Sequence, residues 1–182
     1  MKFDPSEHQL DAIDLRILDL LQENCKQPLA AIGEKVGLTA SSVMERIHKL
    51  EQAGVITGYA AQVDARRLGK DVSAFIGVSI NHPQAISAFE REIGPIADVL
   101  DCHHVTGDHT LLLKVKTEDT GSLERLIDRM RAIDGVTRTE TMVVLSTHTE
   151  RTRVGLEPEA ANAQRRPRRQ QSPRLRRAEG NG

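Results

Sequence analysis

Val36 to Asp64 reads VGLTASSVMERIHKLEQAGVITGYAAQVD. Gly37 sits between two apolar, helix-period segments, and Thr39 can cap the second of them. Val43, Ile47 and Leu50 recur at helical spacing, so the stretch after Thr39 is predicted to be a helix with one apolar stripe. Gly54 marks its end. Working back, Pro28 can open a helix whose inner face is Leu29, Ile32 and Val36 and whose stop is Gly37. An earlier helix comes after Asp11, with Ile13, Ile17, Leu18 and Leu21 inward. Three helices with a glycine at the tight turn before the third make a helix–turn–helix pattern. Gly33 is small where the second and third helices must approach closely.

The third helix has an outward face. A rotation of roughly 100° per residue, with Val43, Ile47 and Leu50 inward, sends Ser41, Glu45, His48 and Gln52 out and leaves Ser42, Met44 and Lys49 on the flanks. In a major groove, serine hydroxyls can reach phosphate or base edges, Glu45 can accept from a cytosine amino group and Lys49 can contact phosphate. The candidate DNA-binding set is Thr39, Ser41, Ser42, Glu45, Arg46, His48 and Lys49. Arg46 lies near the buried side, which leaves two readings open: a phosphate contact, or an ion pair with a first-helix acid such as Asp14.

Working forward, Thr57 to Val63 reads as a strand and Asp64 to Asp71 as a polar linker. Strands are expected at 72–80, 99–105, 110–116 and 136–145, with one helix after Pro83 and another ending at Gly135. An internal repeat at an offset of 37 residues matches Ala74, Ile76, Val78, Ile86, Phe89, Ile93, Ile96 and Val99 with Leu111, Leu113, Val115, Leu123, Leu126, Met130, Ile133 and Val136. Two strand–helix–strand units in one sheet give a βαββαβ, ferredoxin-like domain. The fold class is therefore α+β: a winged-helix-like helix–turn–helix domain (1–58), a strand and linker (59–71), a ferredoxin-like domain (72–150) and a basic tail without periodicity (151–182), expected to be disordered.

Charge respects this division. The chain holds 25 Lys+Arg and 26 Asp+Glu, yet nine Arg and three Glu fall in residues 151–182. Residues 1–58 carry six basic and nine acidic groups, a poor balance for a unit that must neutralise phosphates unaided. Three Phe, one Tyr and no Trp exclude a single-strand binder that stacks bases on aromatic platforms, and TLLLKVK (110–116) has none of the aromatics an RNA-recognition sheet needs. Two cysteines, Cys25 and Cys102, make no disulfide framework and are expected to pack as small apolar residues in a reducing cytosol. No apolar run approaches about 20 residues, and MKFDPSEHQLD (1–11) is too polar for a signal peptide, so a cytoplasmic protein away from membranes is expected. Adjacent His103 and His104 point to opposite faces of a strand and cannot readily chelate one ion, so neither a metal site nor a cofactor is expected.

The stretches LDAIDLRILDLLQENC (10–25), VGLTASSVMERIHKLEQAGVITGYAAQVD (36–64), and CHHVTGDHTLLLKV (102–115) with GVTRTETMVVLS (135–146) occur in the same order as in a known family. From Leu10 to Glu150 the chain resembles the Lrp/AsnC (feast/famine) transcription regulators. The resemblance implies a non-enzymatic, sequence-specific binder of double-stranded DNA that forms dimers, often octamers, and whose second domain binds a small amino acid. It places the effector at the turn Thr106, Gly107, Asp108, His109, Thr110, where the family's Gly-Asp-x-Asp-Tyr pattern is matched only at Gly107 and Asp108. Backbone N–H groups and a threonine hydroxyl there would hold a carboxylate and Asp108 an ammonium; a plain hairpin turn is the other reading. Ile76, Val78, Val99, Leu113 and Val143 are expected on the sheet's open face as an oligomer interface. Two further possibilities share the architecture: an effector-independent architectural DNA-binding protein, and an enzyme resembling sirohaem decarboxylases that would use His103, His104 and Arg138.

Overall fold

A computed structural model describes residues 10–156, which divide into two compact units: 10–60 with 151–156, and 61–150. The first unit is helical: α1 (Ala12–Glu23), α2 (Leu29–Val36) and α3 (Ala40–Gln52). A capping box starts α1, in which the Asp14 N–H donates to Asp11 Oδ1 (2.7 Å) and the Asp11 N–H to Asp14 Oδ2 (3.1 Å). Gly37 ends α2 in the left-handed conformation, φ 71°. The Leu38 N–H then folds back to Gly33 O at 2.9 Å. This fold-back brings backbone so close that a Cβ on Gly33 would lie 2.4 Å from Leu38 O. Thr39 caps α3 by accepting from the Ser42 N–H at 3.2 Å. Ile17, Leu20, Ile32, Val43 and Ile47 form the core between the helices.

The second unit has the order β1 (Val72–Ile80), α4 (Pro83–Ile93), β2 (Val99–His104), β3 (Leu111–Thr117), α5 (Thr120–Arg131) and β4 (Val136–Val143). The strands form one sheet in the order β2-β3-β1-β4 with every neighbouring pair antiparallel. This is the ferredoxin-like arrangement: β1 and β2 run the same way with β3 between them, as α4's crossover requires. All sixteen positions of the internal repeat lie in or against a single core between the sheet and the helices.

Three expectations are corrected. Thr57 to Val63 is not a strand: the segment enters no ladder among the described residues, and without a partner an extended stretch remains coil. Ile76, Val78 and Leu113 do not face outward; all three are buried under the helices, while Val99 is half-buried against the same core and Val143 lies on that side at the exposed end of β4. The open face instead carries the alternate residues: Ser73, Phe75, Gly77 and Ser79 of β1, Leu112, Lys114 and Lys116 of β3, and Arg138, Glu140 and Met142 of β4. Lastly, Cys25 and Cys102 are exposed rather than packed, one in the turn after α1 and the other on the edge strand β2.

The expected tail at 151–182 splits. Residues 157–182 lie outside the described ones. Residues 151–156 return to α1, where Arg153 pairs with Asp19, the Val154 N–H donates to Gln22 Oε1 (2.7 Å) and Gln22 Nε2 donates to Val154 O (3.1 Å).

Candidate nucleic-acid interface and effector loop

Val43, Ile47 and Leu50 fix α3 against the helical unit and leave its opposite face in solvent. Ser41, Glu45, His48 and Lys49 are exposed and Ser42 is half-buried. At the start of α3, Thr39 Oγ1 lies 3.0 Å from Ser41 Oγ and 2.9 Å from Ser42 Oγ, a cluster of three hydroxyls. Lys49 Nζ donates to Glu45 Oε1 at 2.8 Å, one turn earlier. That hydrogen bond holds the Glu45 carboxyl below its usual range. Water screens an exposed pair of this kind and leaves it weak, so a phosphate or a base amino group can separate the two cheaply. His48 Nε2 lies 2.9 Å from Gln52 Nε2.

Arg46 turns the other way. Its Nη1 donates to Asp14 Oδ1 (2.7 Å) and Asp11 Oδ2 (2.8 Å), and these two bonds raise its pKa above the ordinary value. Asp14 is nearly buried, so of the two readings the geometry favours the ion pair that fixes α3 to the start of α1.

Two exposed side chains at the flank of α3 did not stand among the candidate residues. Met44 is 57% exposed on the outward side of α3 and offers an apolar contact. Tyr59, 52% exposed, donates to Glu51 Oε1 (2.8 Å), and partial burial together with the Glu51 carboxylate pushes its hydroxyl up to about 12. Met44 is legible in the sequence as a flank position, whereas Tyr59 lies in the segment expected to be a strand and carries no signal.

The five candidate effector residues join β2 to β3 and divide by direction. Thr106, Gly107 and Asp108 are exposed, and Gly107 has φ 117°. Thr110 is half-buried and bound to β1: its N–H donates to Val78 O (2.9 Å) and its Oγ1 accepts the Ile80 N–H (3.0 Å). His109 folds over β1, and its ring occupies the space a side chain at Gly77 would fill, within 2.4–2.7 Å of such a Cβ. Its Nδ1 lies 3.4 Å from Ser79 Oγ and its Nε2 3.5 Å from Glu140 Oε2, which also accepts from Arg138 at 2.7 Å. His109, Thr110 and the Asp108 carbonyl, which accepts from Ser79 Oγ at 3.3 Å, thus tie the loop to the sheet, and Thr106, Gly107 and the Asp108 side chain form its exposed rim. In the ladder, His103 stands opposite Leu112 and His104 opposite Leu111, on opposite faces of β2. Among the described residues no group of three His, Cys, Asp or Glu side chains is placed to hold a metal ion, and no helix is long and apolar enough to cross a membrane.

A helix–turn–helix unit and, after it, a separate ferredoxin-like unit define a two-domain DNA-binding regulator. Residues 10–51 match the family model of the AsnC-type helix-turn-helix domain, and residues 73–154 match that of the Lrp/AsnC ligand binding domain. The chain belongs to the Lrp/AsnC family of transcription regulators. It is 35% identical over 143 residues to the HTH-type transcriptional regulator FL11 of Pyrococcus horikoshii, covering 79% of this chain and 94% of that one. It is 30% identical over 148 residues to the regulatory protein AsnC of Escherichia coli, covering 79% and 95%. Among solved structures, Escherichia coli AsnC superposes with a TM-score of 0.74 at 28% identity, covering 80% and 98% of the two chains. A Neisseria meningitidis transcriptional regulator solved as a complex with L-Met superposes with a TM-score of 0.78 at 29% identity, covering 81% and 97%.

Proposed function

We propose that α3 enters the major groove and reads base edges through Ser41, Glu45, His48 and Lys49, with Thr39, Ser42 and Met44 at its margin. The observation that carries this reading is the solvent-facing row on a helix whose other face is locked by Val43, Ile47 and Leu50. Arg46 supports the reader by fixing its angle and takes no part in the contact. The helical unit is net acidic, so affinity comes from several copies acting together and from the arginines after residue 156. The described sheet has an open face with Phe75, Leu112 and Met142 among its charges, which suits a second copy of the chain. Such a dimer presents two recognition helices to half-sites about 34 Å apart or a multiple of that, and dimers can assemble further to an octamer. A shift assay on the DNA upstream of the protein's own gene, repeated across salt concentrations, tests the reading. Specific retardation at low salt is expected, weakened by Ser41→Ala and by Lys49→Ala; no specific retardation refutes it.

The second domain senses a small amino acid at the rim Thr106, Gly107 and Asp108. The ligand-binding family model and the L-Met complex of the Neisseria meningitidis protein support an amino-acid effector. Asp108 holds the ammonium and the backbone N–H groups of the turn hold the carboxylate. Calorimetry against the twenty amino acids is expected to give one or a few binders, lost in Asp108→Ala. Failure of all twenty favours an effector-independent architectural protein. The protein works in the cytoplasm and catalyses no reaction.

A further inference from the structure

After residue 150 the chain rejoins its first unit and meets α1 at Asp19 and Gln22, three residues apart and so on one side of the helix. The Gln22 amide makes both of its bonds to a single residue: its Oε1 accepts the Val154 N–H (2.7 Å) and its Nε2 donates to Val154 O (3.1 Å). A neighbouring strand would bind the same two groups, so this contact selects an extended backbone whatever the side chain. Val154 is itself 64% exposed, and apolar burial does not hold it. Asp19 sets the register. It pairs with Arg153 as well as with Arg16 (3.1 Å), and the Arg153 hydrogen bond holds its carboxyl below the usual range. Asp19, and behind it Glu23, raise Arg153 above its ordinary pKa. Seven arginines follow between residues 165 and 177. The helix they are fastened near is joined directly to the outward-facing α3, because Arg46 bonds to Asp11 and Asp14, and Asp19 follows Asp14 by about 8 Å along the axis. The eleven residues from Val154 to Arg165 can span at most about 40 Å. That exceeds the two helix diameters, about 20–24 Å, between the far side of α1 and the outer face of α3. With the contact open, the tether starts instead at residue 150, where the second unit ends.

We propose that Asp19 and Gln22 are a docking site for residues 153–154, and that the docking aims the chain's arginine-rich end at the DNA phosphates flanking the half-site that α3 reads. It rests on the DNA-reading role given to α3 above. Held at α1, the arginines become a second phosphate-binding element of the same unit, at the raised effective concentration that a short tether gives. They offset the acidic balance of residues 1–58 where the offset is needed. Asp19 and Gln22 are positioning residues: they touch no DNA and act only through the arginines.

Two uncharged changes break the contact, one from each side. Gln22→Ala removes the side-chain amide, and Val154→Pro removes the N–H that Gln22 accepts. Hydrogen exchange of the Val154 amide, measured on the full-length protein without DNA, reads the docking alone. The amide should be protected in the unaltered chain and exchange at least tenfold faster in Gln22→Ala; an unprotected Val154 amide overturns the docking, whatever α3 does. At low salt each variant should bind duplex DNA at least threefold more weakly than the unaltered chain, with the ranking of sequences kept. In a full-length chain whose seven arginines at 165–177 are replaced by glutamine, neither change should alter the affinity. Equal affinity of the variants and the unaltered chain overturns the aiming role, and so does a loss of the same size in the glutamine chain. Loss of sequence ranking in Gln22→Ala would make Gln22 a DNA contact and overturn its positioning role. An unaltered chain that binds no duplex refutes the role of α3 and the aiming with it, while the docking stands or falls on the exchange of Val154.

Discussion

Replacing Gly33 with alanine sets two effects against each other. Gly33 is in α2, and alanine inside a helix is favoured over glycine by about 0.5–1 kcal/mol. On helix propensity alone the variant is stabilised. The built Cβ, however, falls 2.4 Å from Leu38 O and 3.4 Å from Leu38 C, both backbone atoms. Ordinary contact needs about 1 Å more, and the obstructing carbonyl belongs to the turn that Gly37 and the Leu38–Gly33 hydrogen bond define. A flexible side chain could move aside; this turn cannot without shifting α3. Overpacking of this kind costs roughly 1–3 kcal/mol, so the clash outweighs the propensity and the net loss is about 1–2 kcal/mol. For a small domain each kcal/mol lowers Tm by roughly 4–8 °C. Tyr59 is the chain's single tyrosine and there is no tryptophan, so its fluorescence, sensitive to the Glu51 carboxylate it touches, reports on this unit. Gly58→Ala is the control, since nothing lies within 4 Å of its Cβ. The expected result is a lower melting midpoint and weaker DNA binding for Gly33→Ala, with Gly58→Ala unchanged or slightly stabilised. A Gly33→Ala protein that melts higher would refute the close-approach argument.

Acid stability depends on the caps. The Asp11 carboxyl is held below its ordinary value of 3.8, chiefly by the Asp14 N–H and then by Arg46. A carboxylate depressed in the folded state contributes stability that is complete above its unfolded pKa and is lost as pH falls through the folded value. Asp11→Ala should therefore lower stability at neutral pH and flatten the decline below about pH 4, as urea melts across pH would show. Gly77→Ala should drive the His109 ring off β1, because three of its ring atoms lie within 2.7 Å of the new Cβ; the imidazole resonances of His109 should shift, and unchanged resonances would mean the ring does not rest there. Deleting the residues after Leu156 removes seven arginines and three glutamates. Affinity for all DNA should then fall and its salt dependence flatten, by at most about 0.9 in log–log slope per arginine lost, while the ranking of sequences is kept. Loss of that ranking would place sequence reading in the deleted residues.

Much of this architecture is legible because local signals agree with one another. Asp11 and Thr39 cap the helices they precede, Gly37 takes the left-handed turn expected of it, and the repeat picks out a single core. The open face of the sheet is misread from the sequence for an equally local reason. In VSAFIGVSI (72–80) apolar residues occupy both parities, Phe75 on one and Ala74, Ile76 and Val78 on the other, so alternation does not say which side meets the helices. Only the pairing with LLLKVKT (111–117), where Lys114 and Lys116 mark the wet side, decides it. Arg46 shows a second limit. Its position between the inner and outer faces of α3 admits two partners, and the choice depends on Asp14 arriving from a residue 32 places earlier. Nothing in the local pattern of the effector turn announces that His109 lies on Gly77; that contact joins residues on different elements and needs the sheet to be formed.

The repeat and the ladder between β1 and β3 together define a symmetry. The shift that carries Ala74 to Leu111 and Val78 to Val115 turns the pair Ala74–Val115 into the pair Leu111–Val78, which is also present. Ile76 and Leu113 exchange with each other, so a pseudo-twofold axis passes through their pairing at the centre of the sheet. Each half of the domain is therefore self-complementary at that line, and the domain is built as a covalent dimer of two half-length modules.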